Sequence, residues 1–457
     1  MSSMKRGRRF RFIVLIFRWL LLCFPMTARA DSPFALRDGD RVVFYGDEVT
    51  AVQFYDNPLE PRIYTTFIEA YAITRFPKLH FEFANSGWNG DRVSGGAGGP
   101  IDVRLERDVI AYKPTVLTVM LGMNDAWMTT FDPKRFDAFT ISYEHRAHPE
   151  LGVFDSKRFE AFTTGYQHLI ETVKSAVQSI RVTLLKPIAY EDPQVAAISA
   201  GQSNVMLQYG RRLDEIGERD HLTVVDPNPA LAAVIKQAAD AEPNIARQMM
   251  IDDAHPGAAG HLVIAEAVLK AWHAPAVVSA VEIDGRMGRI VRVENTRVGK
   301  ITKAAGALSW TQTDNALPFL PNIADPAVAL AVRTSDIAAA LDQQMLKLTG
   351  LSAAKYELRI DGEMVDWFAA EQLAGGINLA ILNTPMRRQA TRVFDLVRER
   401  DNVHFGRWRW LEFPLRDISL THKLEALSAF DALEKDLVAE QYAAAKPTPH
   451  RYDLVPL

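Results

Sequence analysis

Between residues 41 and 272, short β-rich runs alternate with longer runs of helical period, and no other feature restricts the fold of this chain so closely. Strands are expected at 41–45, 79–84, 115–121, 181–186 and 222–225, and helices at 61–75, 101–112, 157–179, 196–219 and 258–272. Regular alternation of this kind predicts an α/β domain whose parallel sheet is covered on both faces by helices. In such sheets ligands bind beyond the carboxyl ends of the strands. The segments just after those strands are therefore the ones to inspect for chemistry.

After Ala274-Pro275 the texture changes. β-like stretches at 281–290 and 355–368, the second carrying an Asp361-Gly362 turn signal, give way to helical patterns at 386–400 and 422–445. The expected organisation is a leader at 1–30, an α/β domain at 31–275, an α+β region at 276–445 and a loose tail at 446–457. The run Phe405-Gly406-Arg407-Trp408-Arg409-Trp410 reads as an amphipathic strand with its tryptophans in a domain interface. It also offers rings to stack on sugars or to close over a pocket.

The leader has a cationic start (Lys5, Arg6, Arg8, Arg9, Arg11), an apolar run from Phe12 to Phe24 and a small-x-small Ala28-Arg29-Ala30, the pattern of an export signal cleaved before Asp31. The run is short for a membrane span, which needs about 20 apolar residues. The expectation is a periplasmic or extracellular protein with no stable span after cleavage, an uncleaved N-terminal anchor being the alternative. Setting the leader's seven basic residues aside leaves 45 basic against 56 acidic residues, a balance of −11. Nucleic acid is thus not an expected partner. The single cysteine, Cys23, lies in the leader, so the remaining chain has no disulfide, thiolate metal site or cysteine nucleophile.

Four segments stand at expected strand ends. Tyr45-Gly46-Asp47-Glu48-Val49-Thr50 follows the first strand, and a tight turn there, with Gly46 allowing it, presents residue 48 at the sheet's edge. Asn85-Ser86-Gly87-Trp88-Asn89-Gly90-Asp91 follows the second strand, and Gly122-Met123-Asn124-Asp125 the third. Asp252-Asp253-Ala254-His255-Pro256 comes later. Taken singly, the glycines read as turn residues and Asn124 and Asp252 as helix caps. Asp252, Asp253, His255 and His261 match no established metal-ligand spacing, so no metal is expected.

In this order the four blocks resemble the SGNH, or GDSL, hydrolase superfamily over about residues 40–272. The resemblance implies a flavodoxin-like three-layer α/β/α fold and serine esterase or acylhydrolase chemistry on lipids, acylated sugars or other small esters, without a cofactor. It makes Gly90 N–H and the Asn124 side chain oxyanion donors, His255 the base and Asp252 its orienting carboxylate. Where the family keeps its serine, this chain has Glu48. Ser86 does not replace that serine, because the family places this position with its hydroxyl turned away from the histidine.

A carboxylate is a poor nucleophile towards acyl carbon and would give an anhydride, which leaves three readings open. Glu48 is a general base on water in an ester hydrolase. Alternatively, Glu48 pairs with Asp47, Asp91 or Asp252 in a carboxylate glycosidase. In the third, the chain is a non-catalytic protein binding a carbohydrate or ester, with Glu48 and His255 as an ion pair.

Overall fold

The first strand, β1 (Arg41–Gly46), is buried from Val42 to Gly46, as a strand covered on both faces must be. The computed structural model describes residues 33–52, 62–127, 154–189, 196–251, 255–319 and 324–457. β1 lies inside a parallel sheet with β2 (Glu82–Gly87), β3 (Val116–Met120), β4 (Arg181–Leu185) and β5 (Thr223–Val225), in the order β2-β1-β3-β4-β5. This is the flavodoxin-like order, with its topological switch beside β1. Helices α1 (Tyr64–Arg75), α2 (Ile101–Asp108), α3 (Met123–Trp127), α4 (Ser156–Ala176), α5 (Ala196–Asp220), α6 (Asn228–Ala241) and α7 (Ala258–Ala271) connect the strands and complete the three-layer domain. All five strands and all five helices expected here are present, with shifts of a few residues at the ends.

Register sets the ends of three strands level. Gly46 pairs with Gly87 on one side and with Met120 on the other, so the turns leaving β1, β2 and β3 open at one place. Two glycines there answer a need for space. A Cβ on Gly46 would meet Thr50 Oγ1 at 2.1 Å and Met120 O at 2.7 Å, and one on Gly87 would meet Ala51 N at 2.3 Å.

The α+β region carries two further sheets. Strands β6 (Val277–Asp284), β7 (Arg289–Glu294), β11 (Gln343–Thr349) and β14 (Ile377–Asn378) form one, ordered β14-β11-β6-β7. The other runs β13-β12-β15-β10-β8 with β9 added on β10, from β8 (Thr296–Val298), β9 (Thr302–Ala304), β10 (Ala307–Asp314), β12 (Lys355–Ile360), β13 (Glu363–Ala369) and β15 (His450–Pro456). The Asp361-Gly362 signal is the two-residue turn of the β12–β13 hairpin, with φ of 53° and 83°. The expected tail at 446–457 is instead largely β15, an interior strand between β10 and β12 with Tyr452 and Leu454 buried. Proline-rich composition hid a strand whose partners lie nearly 100 and 150 residues away in the chain.

Helices α8 (Pro385–Phe405) and α9 (Lys423–Ala445) return to the first sheet. β2 is its edge strand, and this region binds backbone at the strand's start: Arg400 Nη1 donates to Phe83 O at 2.6 Å, and Phe81 N–H, just before β2, donates to Tyr442 Oη at 2.8 Å. Covering an edge strand in this way blunts it as a template for pairing with another chain. Residues 34–457 consequently form one compact unit rather than two separate domains. The 405–410 run is not a strand. It continues α8 as a π-helical turn, Gly406–Glu412, a form found frequently at functional sites. No described helix is long and apolar enough to cross a membrane, and the leader lies outside the described residues.

Candidate active site

The turn Asp47–Thr50 is tied by its own backbone and by two side chains. Asp47 O accepts from Thr50 N and Ala51 N at 3.1 and 3.0 Å, and Asp47 Oδ1 accepts from Val49 N at 3.1 Å. From β2, Asn85 Nδ2 donates to Thr50 O at 2.7 Å and to Thr65 Oγ1 at 3.0 Å, while Asn85 Oδ1 accepts from Gly87 N. Asn85 thus locks the turn after β1 to the turn after β2, a role that its place in the second block did not reveal.

Glu48, held by this turn, points into the protein and is 6% exposed. Its Oε2 accepts from Gly90 N–H at 2.9 Å and from Asn124 Nδ2 at 2.8 Å. Its Oε1 lies 3.6 Å from His255 Nε2. Gly90 has φ +72°, the left-handed region that glycine adopts freely, which aims its N–H inward. Asn124 is the second residue of α3, two positions after Gly122. His255 lies in an irregular segment pinned by Ile251 N to His255 O at 2.8 Å and by the bridge between Met250 and Pro256. Glu48, Gly90, Asn124 and His255 thus meet at the carboxyl end of the sheet, all buried.

Asp252 lies outside the described residues. Ser86 is turned away, its Oγ donating to Asp108 O at 2.6 Å. The remaining acids are committed to scaffolding. Asp91 Oδ2 accepts from Arg104 Nε at 2.9 Å, and both carboxylate oxygens of Asp125 accept from Val93 N at 3.2 Å, which ties α3 to the Gly90 loop. Asp47 holds its own turn. Among the described residues no group of His, Cys, Asp and Glu could hold a metal ion.

Burial works to raise the pKa of Glu48, but His255, Gly90 N–H and Asn124 outweigh it and hold the carboxyl below its ordinary range. Asp47, buried beside the Glu48 charge, is pushed well up. Burial pushes Asp125 up to about 7. His261 is driven down to about 3 by burial and then by neighbouring His255, so it is neutral at physiological pH. The site concentrates one negative charge on Glu48 and surrounds it with neutral groups, donors and one imidazole.

Residues 44–263 match the model of the GDSL-like Lipase/Acylhydrolase family, a span that contains Glu48, Gly90, Asn124 and His255. This segment is a GDSL-like hydrolase domain. An acetylxylan esterase of Geobacillus stearothermophilus is 24% identical to the chain over 238 residues, which is 51% of this chain and 93% of that protein. Among solved structures, a gut microbial diltiazem-metabolizing enzyme superposes with a TM-score of 0.74 at 22% identity, over 93% of this chain and 99% of the other. That likeness extends through the α+β region, so the GDSL-like domain and its C-terminal companion share one fold with that enzyme.

Proposed function

We propose that the protein hydrolyses short acyl esters, with acetylated carbohydrates such as acetylated xylan as the substrate class, and that Glu48 takes part as a general base on water. One observation carries this reading: Gly90 N–H and Asn124 Nδ2 converge on a single oxygen at 2.9 and 2.8 Å, the disposition that stabilises charge developing on an ester carbonyl. The family of the domain and its likeness to an acetylxylan esterase support the ester class.

At rest that oxygen belongs to Glu48 itself. For turnover the carboxylate swings towards His255, from which it is already only 3.6 Å away, and the substrate carbonyl takes its place between the donors. Water then adds to the acyl carbon while Glu48 accepts the water proton. The tetrahedral oxyanion is held by Gly90 and Asn124, and collapse breaks the bond to the alcohol, which leaves with a proton passed through His255. No anhydride forms. Glycosidase chemistry has less support: of the carboxylates that could partner Glu48, Asp47 and Asp91 hold loops, and Asp252 lies outside the described residues.

A binding-only reading has one observation in its favour, since Glu48 satisfies both donors and a carbonyl must displace it. The test is hydrolysis of acetylated xylo-oligosaccharides by the wild type, Glu48→Gln and His255→Ala, with ¹⁸O-labelled water. Release of singly labelled acetate by the wild type and its loss in both variants supports the proposal. An inert wild type that binds the same oligosaccharide, more weakly after Glu48→Ala, makes the pocket a receptor.

A further inference from the structure

The aromatic-basic run at 405–410 is not used by the site above, and its π-helical turn places two side chains against the loop that carries Gly90. Trp408 is buried, donates from Nε1 to Asp108 Oδ1 at 3.0 Å and meets Trp88 edge-on, with ring centroids 5.4 Å apart. Arg409 lies over the same Trp88, its guanidinium carbon 3.3 Å from the ring centroid. Trp88 stands two residues before Gly90 and donates its backbone N–H to Gly46 O, so this surface flanks the active-site loop directly.

The charges around Trp88 do not balance. Arg104 and Arg107 also lie near the ring, at 5.1 and 5.2 Å, but Arg104 is paired with Asp91 and Asp108, and Arg107 with Asp108. Arg409 is half-buried, yet among the described residues no carboxylate comes within ion-pair distance of it and no acceptor takes a hydrogen bond from its guanidinium. Trp88 Nε1–H, inside the protein, likewise finds no acceptor. Burial and then the Arg104 cation push Arg409 down to about 9. Arg409 is thus the unspent donor that reaches the surface, a planar cation stacked on the buried indole of Trp88, and what it lacks is an anionic oxygen. Beside them Trp410 is 65% exposed, packed edge-on against the Phe405 ring that Arg409 also approaches. It offers a free face to a sugar.

We propose that Arg409 and Trp88 form an anion subsite on the flank of the Gly90 loop, taking the carboxylate or sulfate group of an acidic carbohydrate. Its occupancy does not depend on hydrolysis, so it stands or falls apart from the function proposed above.

The test is calorimetric titration of the full-length protein, at fixed ionic strength, with glucuronate, inorganic sulfate and glucose. The wild type is expected to bind glucuronate saturably and glucose not at all, with sulfate competing for the same place. Arg409→Gln should weaken glucuronate binding by about tenfold or more, the worth of a charge-assisted hydrogen bond, and Arg409→Lys should restore part of it. An unchanged melting temperature in Arg409→Gln shows that the fold is intact. Absence of saturable glucuronate binding in the wild type, equal affinity in Arg409→Gln, or binding that sulfate does not compete for would each overturn the subsite.

Discussion

Oε2 of Glu48 accepts hydrogen bonds from both Gly90 N–H and Asn124 Nδ2, so this side chain occupies the donor pair that the proposed hydrolysis assigns to a substrate's carbonyl oxygen. A serine at the end of the same turn would be too short to do so. Compared with the serine that the family resemblance leads one to expect, Glu48 therefore differs in two ways: it offers no hydroxyl nucleophile, and it is an internal occupant for the donor pair.

The charge state of Glu48 makes acid stability a test of this arrangement. Its carboxyl is held below the ordinary range in the folded protein, so its contribution to stability is fully present above the unfolded value of about 4.3 and is lost as pH falls through the folded value. Melting temperatures between pH 3 and pH 7 should therefore fall more steeply on the acid side for the wild type than for Glu48→Gln. Parallel curves would mean that Glu48 is not ionised between these donors.

Gly87→Ala should destabilise the protein by about 1 to 3 kcal/mol, because its Cβ would meet the backbone of Ala51 at 2.3 Å and the turn carrying Glu48 would have to move. Urea unfolding measures the loss. Nuclear magnetic resonance of the Gly90 and Asn124 amides should report the shifted turn.

Arg104 is fully buried between Asp91 and Asp108 and donates from Nη2 to Ser86 O at 2.8 Å. Arg104→Met leaves buried Asp91 without its cation and Asp108 with Arg107 alone, at a cost of about 3 to 5 kcal/mol. Denaturant midpoints at neutral pH check this, and a change below 1 kcal/mol would contradict the network.

The five parallel strands were legible because each is a short apolar run between helices, and the four blocks at their ends were legible because glycine, asparagine and histidine stand where the chain must turn. What stayed hidden depends on distant partners. The carboxyl terminus carries Pro447, Pro449 and Pro456 and looks like a tail, yet Tyr452 and Leu454 fill the middle of a sheet whose other strands lie far back in the sequence. Phe405–Trp410 alternates like a strand, but α8 continues through it and the extra residue per turn brings Trp408 against Trp88. The scaffolding roles of Asn85 and Asp125 had no local signature either, since each acts on a loop that folding alone brings near.

The β15 assignment has a simple consequence. A chain ending at Lys446 loses an interior strand and leaves β10 and β12 with unpaired edges, so it should be insoluble or lose cooperative unfolding, whereas removal of Leu457 alone should be neutral. Soluble, cooperatively folding 1–446 protein would contradict the sheet order.

The most direct test of the account is the rate of acetyl-ester hydrolysis by Glu48→Ser compared with Glu48→Gln. Serine vacates the donor pair and places a hydroxyl beside His255, whereas glutamine keeps the pair occupied and supplies neither base nor nucleophile. Glu48→Ser should be faster than Glu48→Gln by at least about 10²-fold, because loss of one such donor alone costs about 10²- to 10³-fold. Equal rates in the two folded variants would show that Gly90 and Asn124 do not form a working oxyanion site, and the central claim would fall.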